Sequence, residues 1–244
     1  QDDKRICTVT AAMKSGTGLG GFARLYKDRF FDVGIAEEHA VTFSGGLAAG
    51  GMLPVFAVYS TFLQRSVDQI IHDVATQKLH VILAIDRAGI VGEDGETHQG
   101  VFDVALLNPI PNVEIYSPCY FEELRRDLQA AAYSNSGVVA VRYPKGGELY
   151  RPADFLPGKK TFDFYGGMSA QALVITYGRL FSYACIAKEA LYKSGVDVTI
   201  LKLNRIKPVP REAILESLRF RHIFFFEEGM AAAGTGGQFM DVLS

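Results

Sequence analysis

Three short segments bring together residue types that could move protons or hold anions. The first is Phe31-Asp32-Val33-Gly34-Ile35-Ala36-Glu37-Glu38-His39-Ala40. Glu37 would fall in the first turn of a helix that follows a strand. That is the carboxyl edge of a parallel sheet, where such folds bind ligands, and the helix dipole would help hold a buried carboxylate there. Acids are common in a first turn for the same electrostatic reason, so spacing alone leaves Glu37 and Glu38 open to a purely structural reading. The second segment is Tyr59-Ser60-Thr61-Phe62-Leu63-Gln64-Arg65. Aromatic side chains at a strand-to-helix corner can stack on a flat ring, or can simply plug the sheet end. The third runs from Asp86 to Gly100 and holds four glycines, four acids, Arg87 and His98. A loop of this length inside a compact domain points to function, although a polar surface turn is the plainer alternative. His98 is its candidate acid or base, because imidazole titrates near working pH. His72, His80 and His222 lie on or beside regular elements, where packing or surface roles are expected.

The elements that must position these segments follow from hydrophobic patterning. Short apolar, β-branched runs predict strands over residues 5–9, 53–58, 81–86, 113–116 and 138–142. Helical periodicity predicts helices over 19–26, 36–49, 63–75 and 120–132. Continuous apolar strands separated by helices mean a parallel sheet covered on both faces, the doubly wound α/β class. Residues 143–167, with three prolines and five glycines, carry no periodic stretch and read as linking chain. A second α/β series follows: strands over 172–176, 196–203 and 223–226, helices over 181–193 and 211–218, and a helix starting near Gln238. The expected organisation is a domain over residues 1–150, a linker over 151–167 and a smaller, incomplete domain over 168–244.

Of the 244 residues, 48% are hydrophobic and 21% charged, the balance of a globular chain. A net charge of −2 argues against a nucleic-acid or anionic-membrane surface. No apolar run is long enough to span a bilayer. Cys7, Cys119 and Cys185 are far apart and odd in number, which argues against a disulfide framework or zinc site and fits a reducing cytoplasm.

The stretches Phe31–Glu37, Tyr59–Arg65 and Asp86–Gly92 resemble 1-deoxy-D-xylulose-5-phosphate synthases, over nearly the whole chain. The Gly-Glu-Asp-Gly-x-Thr-His stretch at residues 92–98 is shared with transketolases generally. The resemblance implies a pyrimidine-binding domain followed by a transketolase C-terminal-like domain, and a thiamine-diphosphate enzyme joining pyruvate to glyceraldehyde 3-phosphate with loss of carbon dioxide. It makes Glu37 the glutamate that hydrogen-bonds N1′ of the aminopyrimidine and so controls the tautomer needed to deprotonate thiazolium C2. It makes Phe62 the residue packed on the pyrimidine, with Tyr59 at the substrate end. Arg65, Arg87 and Arg142 match positions lining an acceptor-phosphate pocket, since guanidinium forks suit phosphate oxygens. Asp94 and His98 match loop residues near the reacting carbons and acceptor, with His98 the preferred proton-transfer or orienting group. The implied product feeds isoprenoid, thiamine and pyridoxal synthesis, and the implied assembly is a homodimer.

One family feature is missing from these residues. Magnesium and diphosphate are held in that family by a Gly-Asp-Gly motif followed by an asparagine, ligands that suit a hard cation. Gly92-Glu93-Asp94-Gly95 is a different loop. With Gln1 at one end and a helical pattern running into Ser244 at the other, the expectation is a piece of a synthase lacking its N-terminal diphosphate and Mg2+ domain. The alternatives are the C-terminal subunit of a split transketolase and a non-catalytic pairing module.

Overall fold

The computed structural model describes residues 3–133, 135–158 and 161–243. Its first sheet has seven strands: β1 (Ile6–Thr10), β2 (Phe30–Asp32), β3 (Leu53–Tyr59), β4 (Val81–Asp86), β5 (Val113–Tyr116), β6 (Val138–Arg142) and β10 (Arg205–Lys207). They lie in the order β10-β5-β6-β4-β3-β1-β2, with every pairing parallel except β10 against β5. All six residues of β4 are buried, which is why this unalternating apolar run takes the middle of the sheet. Helices Glu37–Ala49 and Phe121–Tyr133 are among those covering it. A second sheet, in the order β11-β8-β9-β7, holds β7 (Phe162–Tyr165), β8 (Ala172–Tyr177), β9 (Val198–Leu203) and β11 (His222–Phe225). Mixed α/β architecture with parallel-dominated sheets is thus the observed class.

The five predicted first-series strands and three of their four helices stand within about two residues of expectation, the usual uncertainty of element ends. A short helix over Asp103–Leu107 lies in chain with no predicted element, and four further features differ. Strand β2 is a three-residue edge too short to show a period. Strand β7 lies inside the predicted linker and pairs antiparallel with β9. The predicted helix over 63–75 is instead a succession of short pieces, ending in a π-helical stretch over Ile70–Ala75. Gly45 of the covering helix sits against this stretch: a Cβ there would lie 3.2 Å from the Asp73 carbonyl oxygen. Finally, the chain leaves β9 of the second sheet and immediately forms β10 on the edge of the first.

That crossover ties the two α/β series together. Asn204, between β9 and β10, donates its backbone N–H to Thr161 and accepts one from Ser117, at 2.8 and 2.7 Å. Beside it, Lys202 of β9 meets Glu123 of helix Phe121–Tyr133 at 2.5 Å, with both side chains at 0% exposure. A buried pair this complete has to stay closed, because either charge alone would be stranded in the interior. Cys7 and Cys185 are packing residues, their thiols pushed up by burial to about 11 and about 12 respectively. Among the described residues, no helix is long and apolar enough to cross a membrane.

Candidate functional site

The carboxyl ends of β1, β2, β3, β4 and β6 line one edge of the first sheet, and the candidate residues gather there. At the end of β2 the Asp32 carboxylate accepts the backbone N–H groups of Ala12 (2.8 Å) and Gly34 (3.2 Å). Gly34 takes a φ of +73°, a left-handed turn that costs a glycine little. The chain thereby enters its helix at Glu37, which is 2% exposed. Glu38, the next residue, is exposed. The Glu37 carboxylate accepts from Arg65 Nη1 at 3.2 and 3.4 Å.

Arg65 in turn lies over the Phe62 ring, its guanidinium carbon 5.2 Å from the centroid. Phe62 and Tyr59 are close to parallel, 24° apart with centroids at 6.0 Å, and His98 meets Phe62 edge-on at 5.3 Å. His98 is oriented by its neighbour, with Nδ1 2.9 Å from Thr97 Oγ1. Tyr59 continues the line: its hydroxyl occupies the space where a Cβ on Gly16 would fall, so a side chain there would have to displace the Tyr59 ring. The Arg87 guanidinium stacks on the Tyr59 ring at 3.7 Å.

Arg87 is the centre of a charged group. Its own φ is +59°, and its side chain bonds Asp86 at 3.0 Å and Asp94 at 3.1 Å. Asp94 also accepts from Lys145 at 2.5 Å. The Lys145 bond, with Arg87 adding to it, holds the Asp94 carboxyl below the usual range, and the same bond raises the Lys145 ammonium. Burial pushes Asp86 the other way, upward, against the pull of Arg87. A cavity of about 320 Å³ opens beside this group, walled by Arg87, Lys145, Tyr143, Gly146 and Glu148. The loop that carries Asp94 and His98 is closed at its base by paired backbone bonds between Gly89 and Gly100, at 2.7 and 2.8 Å. Gln99 braces it internally, bonding both the N–H and the C=O of Val91 at 2.7 and 2.8 Å.

Seven of the eight candidates, namely Glu37, Tyr59, Phe62, Arg65, Arg87, Asp94 and His98, therefore form one contiguous line of contacts. Arg142 does not join them. It is 4% exposed, and its fork is closed on Asp103, Nε to Oδ2 at 2.7 Å and Nη2 to Oδ1 at 3.2 Å. Its guanidinium is paired with a carboxylate that is itself 2% exposed. Arg65, another of the residues expected to line the phosphate pocket, stands beside Glu37. The cation that does join Arg87 is Lys145. It lies in a Pro-Lys-Gly-Gly turn with no periodic signal; only its place three residues past a buried strand end could have marked it.

Residues 1–149 match the model of the transketolase pyrimidine binding domain, and residues 168–244 match that of the transketolase C-terminal domain. The chain belongs to the transketolase family. It is 45% identical over 247 residues to a 1-deoxy-D-xylulose-5-phosphate synthase of Clostridium beijerinckii, covering 99% of this chain and 39% of that protein. A synthase of the same name from Caldanaerobacter subterraneus is 47% identical, with the same coverage of 99% and 39%. The chain thus spans about two fifths of the length of the curated relatives it matches. Among solved structures it resembles a split gene transketolase described as an inactive β4 tetramer, with a TM-score of 0.85, 26% identity, and coverage of 100% of this chain and 80% of that one. A transketolase of Pichia stipitis, in complex with sedoheptulose 7-phosphate, shares the fold at a TM-score of 0.75 and 14% identity, covering 98% and 40%.

Proposed function

We propose that this chain supplies the pyrimidine-gripping and acceptor-binding half of a thiamine-diphosphate transferase that joins pyruvate to glyceraldehyde 3-phosphate, releasing carbon dioxide and giving 1-deoxy-D-xylulose 5-phosphate. The observation that carries it is the buried Glu37 carboxylate lying on one line of contacts with an aromatic plate and a paired-cation group. The donor set fits the pyrimidine half of that cofactor. Glu37 is an almost fully buried acid able to share a proton with a ring nitrogen, and Phe62 is a half-buried ring able to stack on a flat heterocycle. When bound, the cofactor supplies the electron sink for decarboxylation and carbon–carbon bond formation. Glu37 holds or gives the proton at N1′. Arg87 and Lys145 take the acceptor phosphate, with Asp94 keeping the two cations together until an anion competes for them. His98 stands beside the plate to exchange a proton with the acceptor's aldehyde oxygen. Diphosphate and Mg2+ fall to an N-terminal domain outside this chain, in a cytoplasmic homodimer.

The test is product analysis with the complete protein that carries this chain. Pyruvate plus glyceraldehyde 3-phosphate should give carbon dioxide and the five-carbon product one to one. A protein that ignores pyruvate but accepts a ketose phosphate donor would sink the synthase reading and leave an ordinary transketolase. The likeness to a split gene transketolase favours one second reading, that of a subunit completed by a separate diphosphate-binding chain. Intact mass set against gene length separates the two.

A further inference from the structure

Loop 87–100 carries Arg87, Asp94 and His98, and its internal bonds secure its base and middle. Between them, the Ile90 carbonyl on the loop's shoulder is held from outside. Arg179, which precedes helix Leu180–Lys193 of the second domain, donates Nη2 to the Ile90 carbonyl oxygen. The same guanidinium makes a forked pair with Glu228, Nη2 to Oε1 at 2.8 Å and Nε to Oε2 at 3.0 Å. Glu228 follows β11 and presses on the loop itself: a Cβ on Gly89 would lie 2.3 Å from Oε2, and Gly89 has a φ of +87°. Both side chains are largely shielded, at 19% and 15% exposure. The Ile90 side chain is 55% exposed, so apolar burial does little to anchor this shoulder and the polar grip on its backbone counts for more. Among the described residues, neither Arg179 nor Glu228 hydrogen-bonds to Arg87, Asp94, Lys145 or His98.

We propose that Arg179 and Glu228 are positioning residues through which the C-terminal domain clamps the acceptor loop and sets acceptor affinity. The inference rests on the acceptor-binding reading above, so its test has one arm that depends on substrates and one that does not. The first arm is steady-state kinetics of the complete enzyme. Arg179→Ala should raise the KM for glyceraldehyde 3-phosphate about tenfold, the low end for losing a hydrogen bond to a charged group. The KM for pyruvate and the C2 proton exchange of bound cofactor, which depend on Glu37, should stay within roughly a factor of two of wild type. Glu228→Gln should give a smaller effect, and the double variant should be no worse than Arg179→Ala, as for residues acting as one unit.

The second arm is amide hydrogen exchange in the complete protein. The hydrogen-bonded N–H groups of Val91, Asp94 and Gly100 should exchange about tenfold faster in Arg179→Ala, by the same bond worth, with those of β4 unchanged. Unchanged loop exchange would overturn the clamp, and so would equal acceleration in β4, which marks general loosening. A looser loop with an unaltered acceptor KM would overturn the positioning role. Faster loop exchange in a protein that does not use these substrates would uphold the clamp and sink only the substrate reading.

Discussion

Replacing Glu37 by glutamine separates chemistry from folding at the proposed centre. The substitution keeps shape and removes the charge from a side chain that is 2% exposed. Its partner is one nitrogen of Arg65, at 3.2 Å, and Arg65 is 49% exposed. A half-exposed pair is worth about 0–1 kcal/mol, so the melting temperature should move by no more than about 4 °C. Catalysis should respond far more. Proton sharing at N1′ is a general acid–base contact worth about 10²–10⁴-fold, or about 2.7–5.4 kcal/mol of barrier at 1.36 kcal/mol per decade. Cofactor affinity should persist, because the diphosphate end supplies most of it. The assay is C2 proton exchange of bound thiamine diphosphate in the complete enzyme, followed by NMR. Glu38→Gln is the matched control: Glu38 is exposed and projects about 100° round the helix from Glu37. Equal, small losses in the two variants would show that Glu37 is only a first-turn acid.

The two arginines at neighbouring strand ends should behave oppositely. Arg142→Ala strands Asp103 in the core and should cost about 3–5 kcal/mol of stability by chemical denaturation, whereas Arg87→Ala should leave folding nearly intact and raise the acceptor KM at least about tenfold. Asp127 should make stability fall as pH rises. Burial lifts its carboxyl from 3.8 to about 6, so between those values the folded chain keeps a proton that the unfolded chain has lost. The cost is therefore absent below pH 3.8 and complete above about 6. Asp127→Asn should be more stable than wild type by roughly 1–3 kcal/mol at pH 8, with the difference gone at pH 3.5, and an equal difference at both would refute the assignment. The 244-residue chain alone should show no turnover of pyruvate with glyceraldehyde 3-phosphate, since the pyrimidine grip without the diphosphate grip forfeits the advantage of linked contacts; measurable product would overturn that.

Local pattern by itself determined most of the elements and most of the edge where the site lies. The Val81–Asp86 run is apolar on both faces and reads as an interior strand, and the helix start at Glu37 points that acid to a sheet's carboxyl edge, although β2 itself is too short to show a period. Tyr59, Phe62, Arg87, Asp94 and His98 sit within a few residues of such strand ends, so their neighbourhood was legible without coordinates. Tertiary structure decided what local period cannot encode. Strand β10 exists only because β5 offers it an edge, and Arg205–Lys207 is too short to announce itself. The segment at 63–75 keeps a helical repeat in sequence yet winds partly as a π-helix against Gly45. The clearest case is Arg142 and Lys145, two cations three residues apart. Arg142 is the last residue of β6 and finds Asp103, 39 residues away, in the core. Lys145, past Pro144, swings out to Asp94, 51 residues away, beside Arg87. Charge and position looked alike along the chain; the separation came from long-range partners, because a buried cation must sit where a carboxylate already waits.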